Sequence, residues 1–327
     1  MTESALERVE ACLAQIDARD QELTTFITVT ADAAREQAAA ADAAAADGRW
    51  LGLLHGMPIA LKDNIDTAGV RTTSGAKFWS ERVPNDDAAV VQRLKAAGAV
   101  MVGKATLGEL VFDVRSHNPI VGHAKNPWNL TRSPGGSSGG SAAAIAADMC
   151  VGALGSDTGG SVRIPASFCG VSGLRPTHGA VPSTGATPVS VGNDTVGPMA
   201  RRAEDVARLF AVMVGYEPSD PHSIDHDFGN FLPRLNDGVE GLRIGIPQNF
   251  FFDNVDADIE AAVRAGAQVF EQLGAELVPI ELPGAHETFA QVCIQIYCDV
   301  AHFHRQRLAD DRDSFSAPIY ERMCRGL

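Results

Sequence analysis

Apolar residues recur at helical spacing near the start of the chain. Leu6, Val9, Cys12, Leu13 and Ile16 share one face and predict an amphipathic helix over 3–19. The alanine-rich stretch 31–46 predicts a second helix, because alanine loses no side-chain freedom on coiling, and Asp47-Gly48 supplies the stop. From 51 to 202 the texture changes. Short apolar runs at 58–61, 99–102, 151–154 and 171–174 are separated by glycine-rich turns and helical segments such as 86–97. Strands alternating with helices predict an α/β fold in which helix layers cover a sheet. A helix is expected over 202–214, then a long connection at 215–241, rich in Pro, Asp, His and Asn. The pattern resumes as a strand at 242–246, a helix at 256–273, a strand at 276–280 and a helix at 286–308. No fixed-period repeat is present, and the closing ERMCRGL reads as no particular element.

Composition adds exclusions more than assignments. Of 327 residues 45% are hydrophobic and 21% charged, enough to fill a sizeable core, while aromatics at 6% are too few for a stacking platform. The formal charge of −14 disfavours direct binding to nucleic acid, whose phosphates attract Lys and Arg clusters. Cys12, Cys150, Cys169, Cys293, Cys298 and Cys324 include no C-x-x-C pair, so neither a zinc site nor another metal centre is expected. The first residues lack a basic patch followed by an apolar run, and no apolar stretch is long enough for a membrane span. A cytoplasmic protein with reduced thiols is the expectation.

Two segments concentrate glycine and serine: SPGGSSGGS at 133–141, leading into the helix-forming 142–148, and GSDTGGS at 155–161, following the apolar run 151–154. Three readings compete. Flexible linkers fit poorly with apolar elements on either side. A phosphate cradle needs a lysine or a G-x-G-x-x-G helix opening that neither segment has. The third reading is a serine nucleophile beside an oxyanion hole, with the consecutive amides of Thr158, Gly159, Gly160 and Ser161 facing the developing charge. A G-x-S-x-G elbow is absent, since Val162 and Arg163 follow Ser161. His55, His117, His123 and His178 read as hydrogen-bonded structural residues rather than the base. The other base able to activate serine is a lysine kept neutral by burial, and Lys62, ending the run 57–61, is the candidate. A strand-end lysine reaching solvent is the competing reading.

At this point the chain resembles the amidase signature family. The residues that carry the likeness are GMPIALKDN at 56–64, NPWN at 126–129, PGGSSGGS at 134–141, GSDTGGSVRIP at 155–165 and SFCGVSGLRPT at 167–177. The ordered match runs from about 51 to 202, with weaker similarity to 308. The resemblance implies one amidase signature domain over 1–327, with N-terminal helices in 1–50 and the long connection at 215–241. Its sheet would be mixed, mostly parallel and twisted, with helices on both faces. It also implies a Ser–cis-Ser–Lys triad of Ser161 as nucleophile, Ser137 as proton shuttle and Lys62 as base, acting through an acyl-enzyme without metal or organic cofactor. Ser138 and Asp157 are expected to support the loop and the Lys62–Ser137 bond, and Arg163 to anchor the loop rather than bind substrate. The family acts on amides, and the loops 74–84, 115–123 and 184–194 hold few long apolar runs, so a small polar amide is expected. A glutaminase subunit of an amidotransferase complex is the alternative, and a homodimer is left open. Family members are usually longer. The missing C-terminal portion leaves a naturally short amidase beside a truncated, catalytically silent homologue acting as a binding protein.

Overall fold

Ser4 opens the first helix with a capping box: its hydroxyl accepts the Glu7 N–H, and the Glu7 carboxylate accepts the Ser4 N–H. The computed structural model describes residues 3–327. Its elements are α1 (Ala5–Leu23), β1 (Phe26–Val29), α2 (Ala31–Ala46), β2 (Pro58–Lys62), α3 (Ala89–Ala96), β3 (Val100–Ala105), β4 (His117–Asn118) and β5 (Gly122–His123). These are followed by α4 (Gly139–Ala146), β6 (Gly152–Asp157), α5 (Arg163–Cys169), β7 (Ser172–Gly173), β8 (Thr195–Ala200) and α6 (Ala203–Met213). Then come β9 (Arg243–Pro247), α7 (Ala257–Gln272), β10 (Glu276–Ile280), α8 (Ala285–Phe303), α9 (Arg305–Asp310) and α10 (Ala317–Cys324). Contacts group the chain into two compact units, one reaching to Gly229 and resuming at Ile296–Leu327, the other Asn230–Gln295.

The larger unit is built on a six-stranded sheet in the order β1-β3-β2-β6-β8-β7. Its centre, β3-β2-β6, is parallel, whereas β1 and β8 run antiparallel to their neighbours and β7 antiparallel to β8. The sheet is therefore mixed, with its parallel part confined to the middle. Successive side chains of a strand point to opposite faces, and the two apolar clusters follow that period. Ala60, Val100, Val102, Ala153 and Met199 pack under α1, α2, α4 and α5. Ile59, Leu61, Met101, Leu154 and Val196 pack under α3 and α6. Each face is covered by helices, as the alternation of strands and helices predicts.

One irregularity redirects a charge. β2 and β3 are in register at Ile59↔Met101, but the next pair is Ala60↔Gly103, so β3 carries an extra residue. The bulge reverses the alternation beyond it. Ala105 returns to the α1 and α2 face, while Lys104 is paired with Leu61, whose side chain packs under α3 and α6. Gly103 is required here because a Cβ would lie 2.5 Å from the Thr28 carbonyl oxygen.

A third cluster joins distant parts of the same unit. Leu107, Leu110, Val111 and Val189 pack with Val300, Leu308, Ile319 and Met323. Two polar ties accompany it: the Ser316 N–H donates to Glu109 Oε1 at 3.0 Å, and Arg322 Nη1 to the Phe112 carbonyl at 2.9 Å. The helix expected over 286–308 is interrupted at His304, whose ring is buried against Phe78, Phe303 and Phe315. The closing residues, unassigned by periodicity, form α10, with Pro318 in its first turn. β1 and β8 also fall outside the predicted runs. The smaller unit contains a β-α-β, in which β9 and β10 pair in parallel with α7 between them in sequence and Asp256 caps that helix, and it takes in the start of α8.

Candidate active site

Parallel neighbours on both sides bury Lys62, the last residue of β2, completely. Its ammonium nitrogen lies 2.7 Å from Ser137 Oγ, 2.9 Å from Ser156 Oγ and 3.3 Å from the Ser156 carbonyl oxygen. Those acceptors satisfy the charged form geometrically, but removal from water penalises it. Burial pushes Lys62 down to about 7, against the opposing pull of Asp157 and Asp194. Neutral and charged forms are thus both accessible near pH 7. The solvent-reaching alternative for this lysine is excluded.

Ser137 sits in the turn before α4, and the Gly136–Ser137 peptide is cis. Its carbonyl accepts the Gly108 N–H at 3.1 Å. Ser116 staples the same turn, its Oγ lying 2.8 Å from the Gly135 carbonyl and accepting the Gly139 N–H at 2.9 Å. Ser138 joins the two glycine- and serine-rich segments: its N–H donates to the Ser161 carbonyl and its hydroxyl to the Ser156 carbonyl, each at 3.3 Å. Lys62 and Ser137 are therefore brought into direct contact. Ser161 is brought beside them through the backbone bond to Ser138, and among the described residues its hydroxyl makes no hydrogen bond to protein.

Asp157, fully buried at the end of β6, organises the Ser161 turn. One carboxylate oxygen accepts the Gly160 N–H at 2.8 Å and the other the Val162 N–H at 3.1 Å. Arg163 approaches with two nitrogens at 3.1 and 3.0 Å, and Arg175 with one at 2.9 Å. Burial raises the carboxyl, but the bond and charge of Arg163, the Val162 N–H and the Arg175 charge outweigh it and hold Asp157 at about 2. Gly160 takes φ +128°, and a Cβ there would meet Ile164 at 2.8 Å. Because its N–H is committed to Asp157, Gly160 leaves the expected oxyanion donors. The Gly159 and Ser161 N–H groups have no protein acceptor among the described residues. Arg163 spends its guanidinium on Asp157 and so anchors the loop.

Asp157→Asn should therefore destabilise the fold by about 1–3 kcal/mol, because the Gly160 and Val162 N–H groups and two arginines that solvent reaches lose the buried anion that gathers them. The stabilisation is present above the carboxyl's ordinary 3.8 and is lost as pH falls towards 2. Melts of wild type and variant should differ widely at neutral pH and converge in acid. Equal melting temperatures at pH 7 would contradict the assignment.

Residues outside the predicted set also enter. Ser156, Arg175 and Ser116 are described above. Asn64 donates to Ser156 Oγ at 3.3 Å. Asp194 accepts from the Thr158 hydroxyl and from the N–H groups of Val189 (2.8 Å) and Ser190 (3.0 Å). A cavity of about 220 Å³ is lined by Ser156, Thr187, Val189, Val191 and Asp194. On the other side of the bulge, buried Lys104 donates to the Ile65 carbonyl and to Thr67 and Thr72. Ser156, Asn64 and Arg175 lie within the conspicuous motifs, where charge and glycine drew more notice, and Lys104 follows the apolar run 99–102. Asp194 stands in an unpatterned loop and carried no signal. His55, His117, His123 and His178 bond no serine: His55 accepts the Leu51 N–H, His178 meets the Val191 carbonyl, and His117 stacks on His123.

The Amidase family model matches residues 7–323. A glutamyl-tRNA(Gln) amidotransferase subunit from Anaeromyxobacter sp. (strain K) is 45% identical over 280 residues, covering 86% of this chain and 57% of that protein. The peptide amidase of Stenotrophomonas maltophilia superposes with a TM-score of 0.88 at 30% identity, over 98% of this chain and 72% of the other. A chain from a vestigial complex related to the origins of an s-triazine catabolic enzyme superposes at 0.95 with 36% identity, over 99% of this chain and 70% of the other. The chain thus spans less than two thirds of the length of the curated relatives it matches.

Proposed function

The chain belongs to the amidase signature family, and from that premise we propose that it hydrolyses the C–N bond of a small polar amide through an acyl-enzyme on Ser161. The observation that carries the reading is a fully buried amine, Lys62, poised at about 7 and 2.7 Å from the Ser137 hydroxyl. Ser161 Oγ attacks the carbonyl carbon as its proton passes to Ser137 and the Ser137 proton to neutral Lys62. The oxygen that becomes negative is received by the N–H groups of Thr158, Gly159 and Ser161. Ser137 then protonates the departing nitrogen and regains a proton from Lys62, so ammonia or an amine leaves and the acyl group stays on Ser161. Water attacks the ester by the same relay, releasing the acid. The Ser161 hydroxyl turns towards Ser137 when substrate arrives, in keeping with catalytic hydrogen bonds that tighten only in the substrate complex.

Labelling with a fluorophosphonate tests this directly, since the probe reports an activated serine without needing the substrate. The labelling rate should rise through a midpoint at pH about 7, where Lys62 loses its proton, and level off above it. Absence of label on Ser161, or a rate indifferent to pH across this range, would defeat the reading.

The 45% identity to an amidotransferase component favours a second reading, a glutaminase working within a complex. Glutamine hydrolysis by the chain alone would count against it. Hydrolysis that appears only with a partner protein would favour it. No helix among the described residues is long and apolar enough to cross a membrane.

A further inference from the structure

When Lys62 takes a proton during acylation it becomes a buried cation, and the charged groups around it are few. Asp63, the residue after β2, accepts the Thr73 N–H and hydroxyl and faces the charge of Lys104. Lys104, on β3, is turned to the other face of the sheet by the bulge and held by Ile65, Thr67 and Thr72. From β6, Asp157 is already paired with Arg163 and Arg175. Helix α4, GGSAAAIA, carries no ionisable side chain. That leaves Asp194, in the loop before β8.

Asp194 differs from the other carboxylates in its partners. It bonds only neutral donors, namely the Thr158 hydroxyl and the N–H groups of Val189 and Ser190, and among the described residues it has no ion-pair partner. It lines the same cavity as Ser156, whose hydroxyl and carbonyl hold Lys62. Thr158, which it grips, opens the turn carrying Ser161. Burial raises its carboxyl, while its three bonds and the Lys62 charge oppose that rise.

We propose that Asp194 is a positioning residue with two tasks: it is the counter-charge that steadies Lys62 once protonated, and it fixes Thr158 at the mouth of the Ser161 turn. The inference rests on the amidase reading above. Anions around a buried amine favour its protonated form, and of the two that act on Lys62, Asp157 more strongly and then Asp194, only Asp194 is free of an arginine partner. Thr158 is held by the same carboxyl, so the position of one oxyanion donor and the basicity of the relay are set together.

Asp194→Asn keeps the shape and removes the charge. The pH profile of fluorophosphonate labelling should then shift its acid limb down by about one unit, since Lys62 gives up its proton more readily without the anion. The plateau rate should fall roughly tenfold or more, because the ammonium formed on the way to the acyl-enzyme has lost its counter-charge. Val191→Lys, at an exposed position on the same cavity wall, offers Asp194 a cation without touching its bonds and should move the limb in the same direction. It also serves if the asparagine variant does not fold. An acid limb that stays in place in a folded Asp194→Asn protein, or in Val191→Lys, overturns the role of Asp194 while leaving the amidase reading intact. If the wild type itself is not labelled, it is the amidase reading that fails.

Discussion

Ser161→Ala is expected to abolish acyl-enzyme formation and fluorophosphonate labelling, and to lower amide hydrolysis by roughly 10⁴-fold or more, the scale on which a serine nucleophile acts. Stability should barely change, within about 0.5 kcal/mol. The Ser161 hydroxyl makes no protein hydrogen bond among the described residues, while the bond that ties this residue to Ser138 uses its carbonyl and survives the substitution. Intact-mass measurement after probe treatment, paired with a melt, separates the two effects. A variant that still gains the mass of the probe at the wild-type rate would move the nucleophile elsewhere. A variant that loses labelling together with its melting transition would show a structural role instead.

Lys62→Met is expected to remove most of the rate, about 10²–10⁴-fold as for a positioned general base, and at the same time to make the fold less sensitive to pH. In the folded state Lys62 titrates near 7, below its ordinary 10.5. The unfolded chain therefore binds the proton more tightly, and wild-type stability rises with pH between those values. Below about 7 the full penalty applies, of order a few kcal/mol, and above about 10.5 it vanishes. Methionine carries no such penalty. It does leave Ser137 Oγ and Ser156 Oγ without their donor, a loss that does not depend on pH. The gain of Lys62→Met over wild type should thus be larger at pH 6 than at pH 10, whatever its absolute value. A stability difference that is flat with pH would mean that Lys62 stays charged in the fold.

Much of the fold was legible because its elements obey simple periods. The Ala31–Ala46 helix and the Glu276–Ile280 strand coincide with their expected bounds, and the two-sided α/β layering follows from the alternation of strands and helices. What escaped had a tertiary cause. β1 and β8 are antiparallel additions whose residues, FITV and TVGPMA, gain their strand character from pairing with β3 and β6. The break at His304 comes from an aromatic cluster contributed by distant segments. In the candidate site, Lys62, Ser137, Asp157 and Ser161 stood out as motif residues. The engagement of Gly160 with Asp157 is a matter of where a side chain points, and spacing does not reveal that. Asp194 is harder still, since its bond to Thr158 and its place on the cavity wall exist only after β8 has folded against β6.

The third cluster has a bearing on how the molecule is made. Val111 and Val189, two walls of the cavity beside Ser156, receive their cover from Val300, Leu308, Ile319 and Met323. The Glu109–Ser316 tie likewise spans 207 positions. Closing so wide a loop is slow and entropically costly. On the ribosome, Lys62, Ser137 and Ser161 have all left the exit tunnel well before that cover is synthesised. The candidate groups are thus in place early, and the cavity wall beside them gains its cover only after a long further stretch of chain has been made.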